Sequence, residues 1–190
     1  MLNQLRPALV IFAFLTLITG VAYPLLVYGI AQTAFPIAAN GSVMTEGDKA
    51  IGSTLIGQPF DDPKYFWGRP SATGGSPYSG LAGSGSNQGP TNPALETAVK
   101  ERIEKLRAAD PKNQERIPVD LVCASASGLD PHISPAAAKY QAGRIAKARS
   151  LPREQIELLI EKHTLGPTIG VFGQSRINVL ELNLALDRLK

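Results

Sequence analysis

Cysteine is nearly missing from this sequence. Cys123 stands alone, so no intrachain disulfide can form, and a thiol packed as a small hydrophobe is the simplest reading of it. Histidine is almost as scarce. His132 and His163 fall in separate segments, and Asp130-x-His132 by itself cannot complete a tetrahedral metal site. Charge of either sign is not in excess: setting Arg6 aside, the rest of the 19 basic residues are nearly matched by 16 acidic ones. With no basic run and no arginine-rich helix, nucleic-acid binding is set aside. No serine sits in Gly-x-Ser-x-Gly or in Ser-x-x-Lys, so neither common activated-serine pattern is present.

The most consequential absence lies near the N-terminus, where no charged residue occurs between Arg6 and Glu46. Within that interval, Ala8 to Ile30 is almost wholly apolar. About 20 apolar residues at ~1.5 Å each match a hydrocarbon core of roughly 30 Å, so this stretch predicts a transmembrane helix. A cleaved secretory signal is the competing reading, with Gly29-Ile30-Ala31 as a small-residue cleavage site. Signal cores run to only about 7–15 residues, which favours an uncleaved anchor. Arg6 and the amino group precede the span while Glu46, Asp48 and Lys49 follow it, which predicts a cytoplasmic N-terminus and an exported remainder. Ala13, Thr16 and Gly20 form a small-residue stripe suited to close approach by another helix. Pro24 is expected to kink the span at Gly20.

The predicted organisation is an anchor over residues 1–34, a polar connector over 35–49, and one α+β domain over 50–190. Ala50 to Ile56 reads as a short strand ending at Gly57. Tyr65-Phe66-Trp67 either plugs the core or meets a partner, and the core is favoured. Residues 74–89 hold six glycines and no charge, a long loop expected to be disordered or to dock a partner. It lacks a Gly-Lys-Ser/Thr ending and is not a P-loop. Asn92-Pro93 opens a helix, with Leu95, Val99, Ile103 and Leu106 as its apolar face, ending by Asp110-Pro111. Ile117, Val119 and Leu121 alternate through 116–122 as an edge strand. Ser134-Pro135 starts a helix to about Arg149, and another covers Pro152 to Lys162 with Gly166 as its stop. Ile169 to Phe172 forms a short strand, and Asn178 with Glu181 opens the last helix.

The segment Cys123-Ala-Ser-Ala-Ser-Gly-Leu-Asp-Pro-His132, with Ser125, Ser127, Gly128 and Asp130, is the most unusual local sequence. Two serines, an aspartate and a histidine invite a serine-hydrolase reading, since triads are recognised by geometry. A structural corner with side-chain caps before a helix explains the same residues more simply. No stretch matches the Asp-Lys-Thr-Gly phosphorylation loop of an ion-pumping ATPase, so if this protein serves an ATPase, another chain performs the hydrolysis.

Several strings in order give the chain a resemblance from end to end. They are Leu5-Arg-Pro-Ala8, Thr19-Gly20, Tyr23-Pro24, Asn40-Gly-Ser42, Gly52-Ser53, Leu55-Ile-Gly-Gln58, Gly68-Arg69-Pro70-Ser71-Ala72, Ala124 to Asp130, and Glu181 to Asp187. Together they resemble the C subunit of the bacterial Kdp potassium-transporting P-type ATPase. The resemblance implies a non-catalytic accessory subunit in the bacterial inner membrane, single-pass, with its domain outside the cytoplasm near the pore entrance. Its implied partners are a potassium-conducting A subunit, an ATP-hydrolysing B subunit and the lipid bilayer. The implied role is assembly and stabilisation, together with raising the B subunit's affinity for ATP as a catalytic chaperone. ATP and potassium then act at the level of the complex, and no intrinsic cofactor or metal is expected. The alternatives are a membrane-anchored extracytoplasmic serine hydrolase and an anchored ligand-binding protein.

Overall fold

The computed structural model describes residues 4–189; the amino group that precedes the apolar span and the final residue of the domain lie outside them. The chain divides between Ile51 and Gly52 into two compact units.

The first unit carries the long apolar run. Its helical stretch Leu5–Ala34 is 30 residues long with a mean hydropathy of 2.3 and none of its most apolar window buried, long and apolar enough to cross a membrane. Within it, α1 (Leu5–Leu17) and α2 (Tyr23–Ala34) are joined by a π-helical turn over Ile18–Ala22. The expected proline kink therefore takes the form of a wide turn. Pro24 has no N–H to give, and the extra residue lets the Tyr23 N–H reach the Ile18 carbonyl instead. Thr19 Oγ1 donates to the Leu15 carbonyl at 2.7 Å, so its hydroxyl is satisfied within the helix.

The connector is more structured than its polarity predicts. After Phe35 comes the short helix α3 (Pro36–Ala39), where Asn40 Nδ2 donates to the Pro36 carbonyl at 2.7 Å. The chain then forms β1 (Val43–Glu46) and β2 (Lys49–Ser53), hydrogen-bonded as a two-stranded sheet and joined through Gly47 at φ +59°. The strand expected over 50–56 thus begins at Lys49 and stops at Ser53.

The second unit is built around helices. These are α4 (Pro93–Ala109), α5 (Pro135–Arg149), α6 (Arg153–Lys162) and α7 (Val179–Asp187). Three begin where a side-chain oxygen accepts a backbone N–H: Asn92 from Ala94, Ser134 from Ala137, and Asn178 from Glu181. Helix α5 is the central one. Ala137, Ala138, Ala142 and Ala146 are buried along it beside Tyr140 and Ile145, and such small side chains let α6 and the chain around Phe66 approach closely. The two-residue strands β3 (His132–Ile133) and β4 (Ile177–Asn178) pair antiparallel, His132 opposite Asn178 and Ile133 opposite Ile177. Together these elements make a small α+β domain behind a single apolar span.

The aromatic cluster is core, as expected: Phe66 is fully buried and Trp67 nearly so. Buried amide side chains hold this segment. Asn183 accepts the Phe66 N–H at 2.8 Å and donates to the Phe66 carbonyl at 3.0 Å. Gln141 does the same for Trp67, at 2.8 and 3.2 Å. Arg144 donates to the carbonyls of Pro63 and Tyr65 and to Gln141 Oε1, with its guanidinium carbon 4.3 Å from the Trp67 ring centroid. Burial pushes this guanidinium down to about 10, and the nearby carboxylates of Asp110 and Asp62 oppose that shift.

Two further expectations are corrected. Residues 116–122 form no strand; Val119–Leu121 is a 3₁₀ turn with Val119 exposed, and Asp120 accepts the Ser134 N–H at 2.7 Å. The apolar alternation there came from a chain that turns rather than extends. Residues 169–172 are a turn with only single bridges, Leu165 to Arg176 and Thr168 to Phe172. Helix α6 ends at Lys162 as expected, with His163 as its cap and Thr164 Oγ1 donating to the Ile160 carbonyl at 2.7 Å, so its stop lies nearer than Gly166. Finally, residues 74–89 are irregular yet tied to their own domain by the contacts that follow.

Candidate functional site

Two strings distant in the chain meet in the second unit. Gly68-Arg69-Pro70-Ser71 runs beside Ser125 to Asp130, with the Ser125 N–H donating to the Pro70 carbonyl at 3.2 Å. Arg69 Nη1 donates to Asp130 Oδ2 at 3.1 Å, and Nη2 reaches the Ala124 carbonyl at 3.3 Å. Ser71 Oγ donates to the Gly128 carbonyl at 2.7 Å and accepts the Tyr78 N–H at 2.9 Å. Every site residue that the sequence placed in this second unit is therefore in one corner. Ala13, Thr16, Gly20 and Pro24 lie in the other unit, exposed along the apolar span, and a Cβ on Gly20 would meet nothing within 4 Å.

The glycine-rich loop closes over this corner. The Ser84 N–H donates to the Ser127 carbonyl at 2.8 Å, while Thr73 Oγ1 gathers Ser76 and Ser79. Tyr78 is the loop's rivet: its hydroxyl donates to the Arg69 carbonyl at 2.5 Å. A Cβ on Gly68 would stand 2.8 Å from that hydroxyl, so the loop seats only because residue 68 has no side chain. Gly128 is the second obligatory glycine. Its φ is +70°, and a Cβ there would lie 2.6 Å from both the Ser84 carbonyl oxygen and Thr73 Cγ2. Sequence reasoning missed Tyr78 and Thr73; the only aromatic in an otherwise small and polar loop was the available signal.

The electrostatics are those of a fixed joint. Half-burial pushes the Asp130 carboxyl up, but hydrogen bonds from the His132 ring and N–H and from Arg69 outweigh it, leaving the carboxyl below its ordinary value. The Tyr78 hydroxyl is raised to about 12 by burial first, then by the negative charges of Asp130 and Asp61. Ser125 is buried, and its Oγ and Arg69 Nε take no hydrogen bond within the described residues. Ser127 Oγ accepts the Leu129 N–H at 3.1 Å. Asp130 Oδ1 faces His132 Nδ1 at 3.3 Å and takes the His132 N–H at 2.9 Å. Thus neither the Ser125 nor the Ser127 hydroxyl is bonded to the His132 imidazole, and among the described residues the nucleophile–base contact that acyl transfer requires is not assembled here. Among the described residues, no three His, Cys, Asp or Glu side chains cluster to hold a metal. A cavity of about 260 Å³ opens beside Gly68–Ser71, between Phe60, Trp67 and Tyr78 on one side and Lys105 on the other. Lys105 is already paired with Asp61 at 2.5 Å and lies 5.1 Å over the Trp67 ring.

The chain thus combines one apolar span long enough to cross a membrane with a small domain whose polar corner is held by its own hydrogen bonds. The family model described as K+-transporting ATPase, c chain (KdpC) matches residues 5–188. The chain belongs to this family, as a non-catalytic subunit of a potassium-transporting P-type ATPase. It is 61% identical over 190 residues to the potassium-transporting ATPase KdpC subunit of Polaromonas naphthalenivorans, covering 100% of this chain and 97% of that one. Against the KdpC subunit of Variovorax paradoxus it is 60% identical over 185 residues, 97% of this chain and 96% of the relative. The KdpC subunit of Methylococcus capsulatus is 57% identical over 190 residues, with both chains covered in full.

Proposed function

We propose that this chain assembles and stabilises an ATP-driven potassium import complex, lying beside a potassium-conducting A subunit and an ATP-hydrolysing B subunit. The observation that carries the reading is the presence in one chain of an exposed 30-residue apolar helix and of a domain in which Ser127, Asp130 and His132 are engaged in local hydrogen bonds. A helix of this kind gains stability by packing against another helix, and the Ala13/Thr16/Gly20 face is where a neighbour approaches closest. Arg6 before the span and Glu46, Asp48 and Lys49 after it support a cytoplasmic N-terminus and an extracytoplasmic domain at the inner membrane. ATP and potassium act on the companion chains, and this subunit raises the ATP affinity of the hydrolysing one through the assembly rather than by holding nucleotide.

The test is purification in mild detergent through a C-terminal tag, from cells grown in very low potassium, with co-purifying chains identified by mass spectrometry. Recovery of a P-type ATPase and a channel-like subunit in fixed ratio supports the reading. A complex prepared without this chain should fall apart or show a raised KM for ATP. Full ATPase activity at unchanged KM in its absence would remove the role.

A further inference from the structure

Between α6 and β4 the chain leaves the domain as a hairpin and returns. Leu165 and Arg176 exchange both backbone hydrogen bonds at 2.9 Å, and Thr168 and Phe172 do so at 2.8 and 2.9 Å. The tip presents Ile169, Val171 and Phe172 at 85%, 78% and 69% exposure. Ile169 is held at φ +55°, a region that a β-branched residue avoids, so the tip is set in one shape by its ladder and not by its own preference. Three large apolar side chains this exposed on a small domain form a patch of the kind that marks an interaction site.

The charges around the tip restrict what covers it. From Lys162 to Leu180 there is no aspartate or glutamate, and Lys162 and Arg176 flank the apolar residues. A second copy of the same surface would set these cations against each other. A bilayer would attract the same cations through anionic headgroups, and lipid adducts are therefore an outcome of the test below. An apolar recess edged by carboxylates on another protein suits both the tip and its flanks, and the family is by description one chain of a multi-chain ATPase.

We propose that the 165–176 hairpin docks into an apolar, carboxylate-edged recess on a companion chain of the same ATPase, with Ile169, Val171 and Phe172 as the inserted side chains and Lys162 and Arg176 at the rim. This rests on the accessory-subunit reading above. The contact is a second attachment, separate from the membrane helix, and it fixes the domain's orientation in the complex.

The experiment uses the full chain expressed with its companion chains. Ile169→Asn combined with Phe172→Ser removes the apolar tip, and asparagine tolerates a positive φ, so the domain keeps its thermal midpoint. The expected result is at least a tenfold loss of companion chain recovered through the tag. Lys162→Glu with Arg176→Glu should also lower recovery. A photo-crosslinking phenylalanine analogue at position 172 should form adducts with a companion chain. Undiminished recovery of the doubly substituted chain overturns the hairpin proposal alone. Adducts only with lipid or with a second copy overturn it as well. Failure of the unsubstituted chain to recover any companion overturns the accessory reading and this inference together.

Discussion

Arg69 Nη1 stands 3.1 Å from Asp130 Oδ2, so a single ion pair joins segments 61 residues apart in the chain. Each side chain of the pair is 28% exposed, which places it between a screened surface pair and a buried one. Arg69→Ala should therefore destabilise the domain by about 2 kcal/mol, read from urea unfolding. Because the Asp130 carboxyl is held below its ordinary value, the stabilisation it gives is present above about pH 4 and is lost as the pH falls through its folded-state value. The stability difference between the natural chain and Asp130→Asn should shrink over that acid range. A constant difference down to pH 2 would show that the carboxylate's charge is not what matters.

Gly128→Ala combines an unfavourable φ of +70° with contacts of 2.6 Å against Ser84 and Thr73. Gly75→Ala has a similar φ of +80° but open space around it. The expected losses are about 3 kcal/mol for the first and about 1 kcal/mol for the second. Equal losses would mean that the loop yields to the added methyl.

Alkaline unfolding tests Tyr78. Its hydroxyl, raised to about 12, favours the folded state while protonated, so its contribution is complete below about pH 10 and disappears as the pH rises through 12. Tyr78→Phe should cost about 1–2 kcal/mol at neutral pH, since it leaves the Arg69 carbonyl without this donor, and should flatten the stability curve between pH 10 and 12. An unchanged alkaline slope would place the responsible group elsewhere.

Asn183→Leu preserves volume approximately and removes both hydrogen bonds to Phe66. Stranding a buried N–H and C=O together should destabilise by about 3 kcal/mol, measured by denaturant titration. A loss under about 1 kcal/mol would indicate that the segment finds new partners.

Orientation can be read chemically. With Cys123 changed to serine, Lys100→Cys places a lone thiol where the native side chain is 67% exposed. A membrane-impermeant maleimide should label it in intact spheroplasts. Labelling only after permeabilisation would reverse the topology.

What could be read from the sequence was what local chemistry decides. Asn92, Ser134 and Asn178 announce their helices because a cap acts two or three residues away. The apolar span is equally legible, since lipid demands length and lack of charge from one continuous stretch. Ile117, Val119 and Leu121 misled because alternation records apolar spacing and not extension; Pro118 and the Asp120 bond to Ser134 turn the chain there. The corner was half legible. Its residues were named, but the meeting of Arg69 with Asp130 depends on tertiary packing over dozens of residues. Tyr78 escaped for the same reason, as the partners that make it matter, Gly68 and the Arg69 carbonyl, are brought to it only by the folded loop.

The amide brackets on Phe66 and Trp67 carry one more implication. Asn183 engages both backbone groups of Phe66, and Gln141 both backbone groups of Trp67. A stretch whose N–H and C=O groups are already engaged by buried side chains offers no free ladder to a neighbouring molecule. For the domain's most aromatic stretch, this closure is protection against backbone pairing between molecules and the aggregation that follows from it.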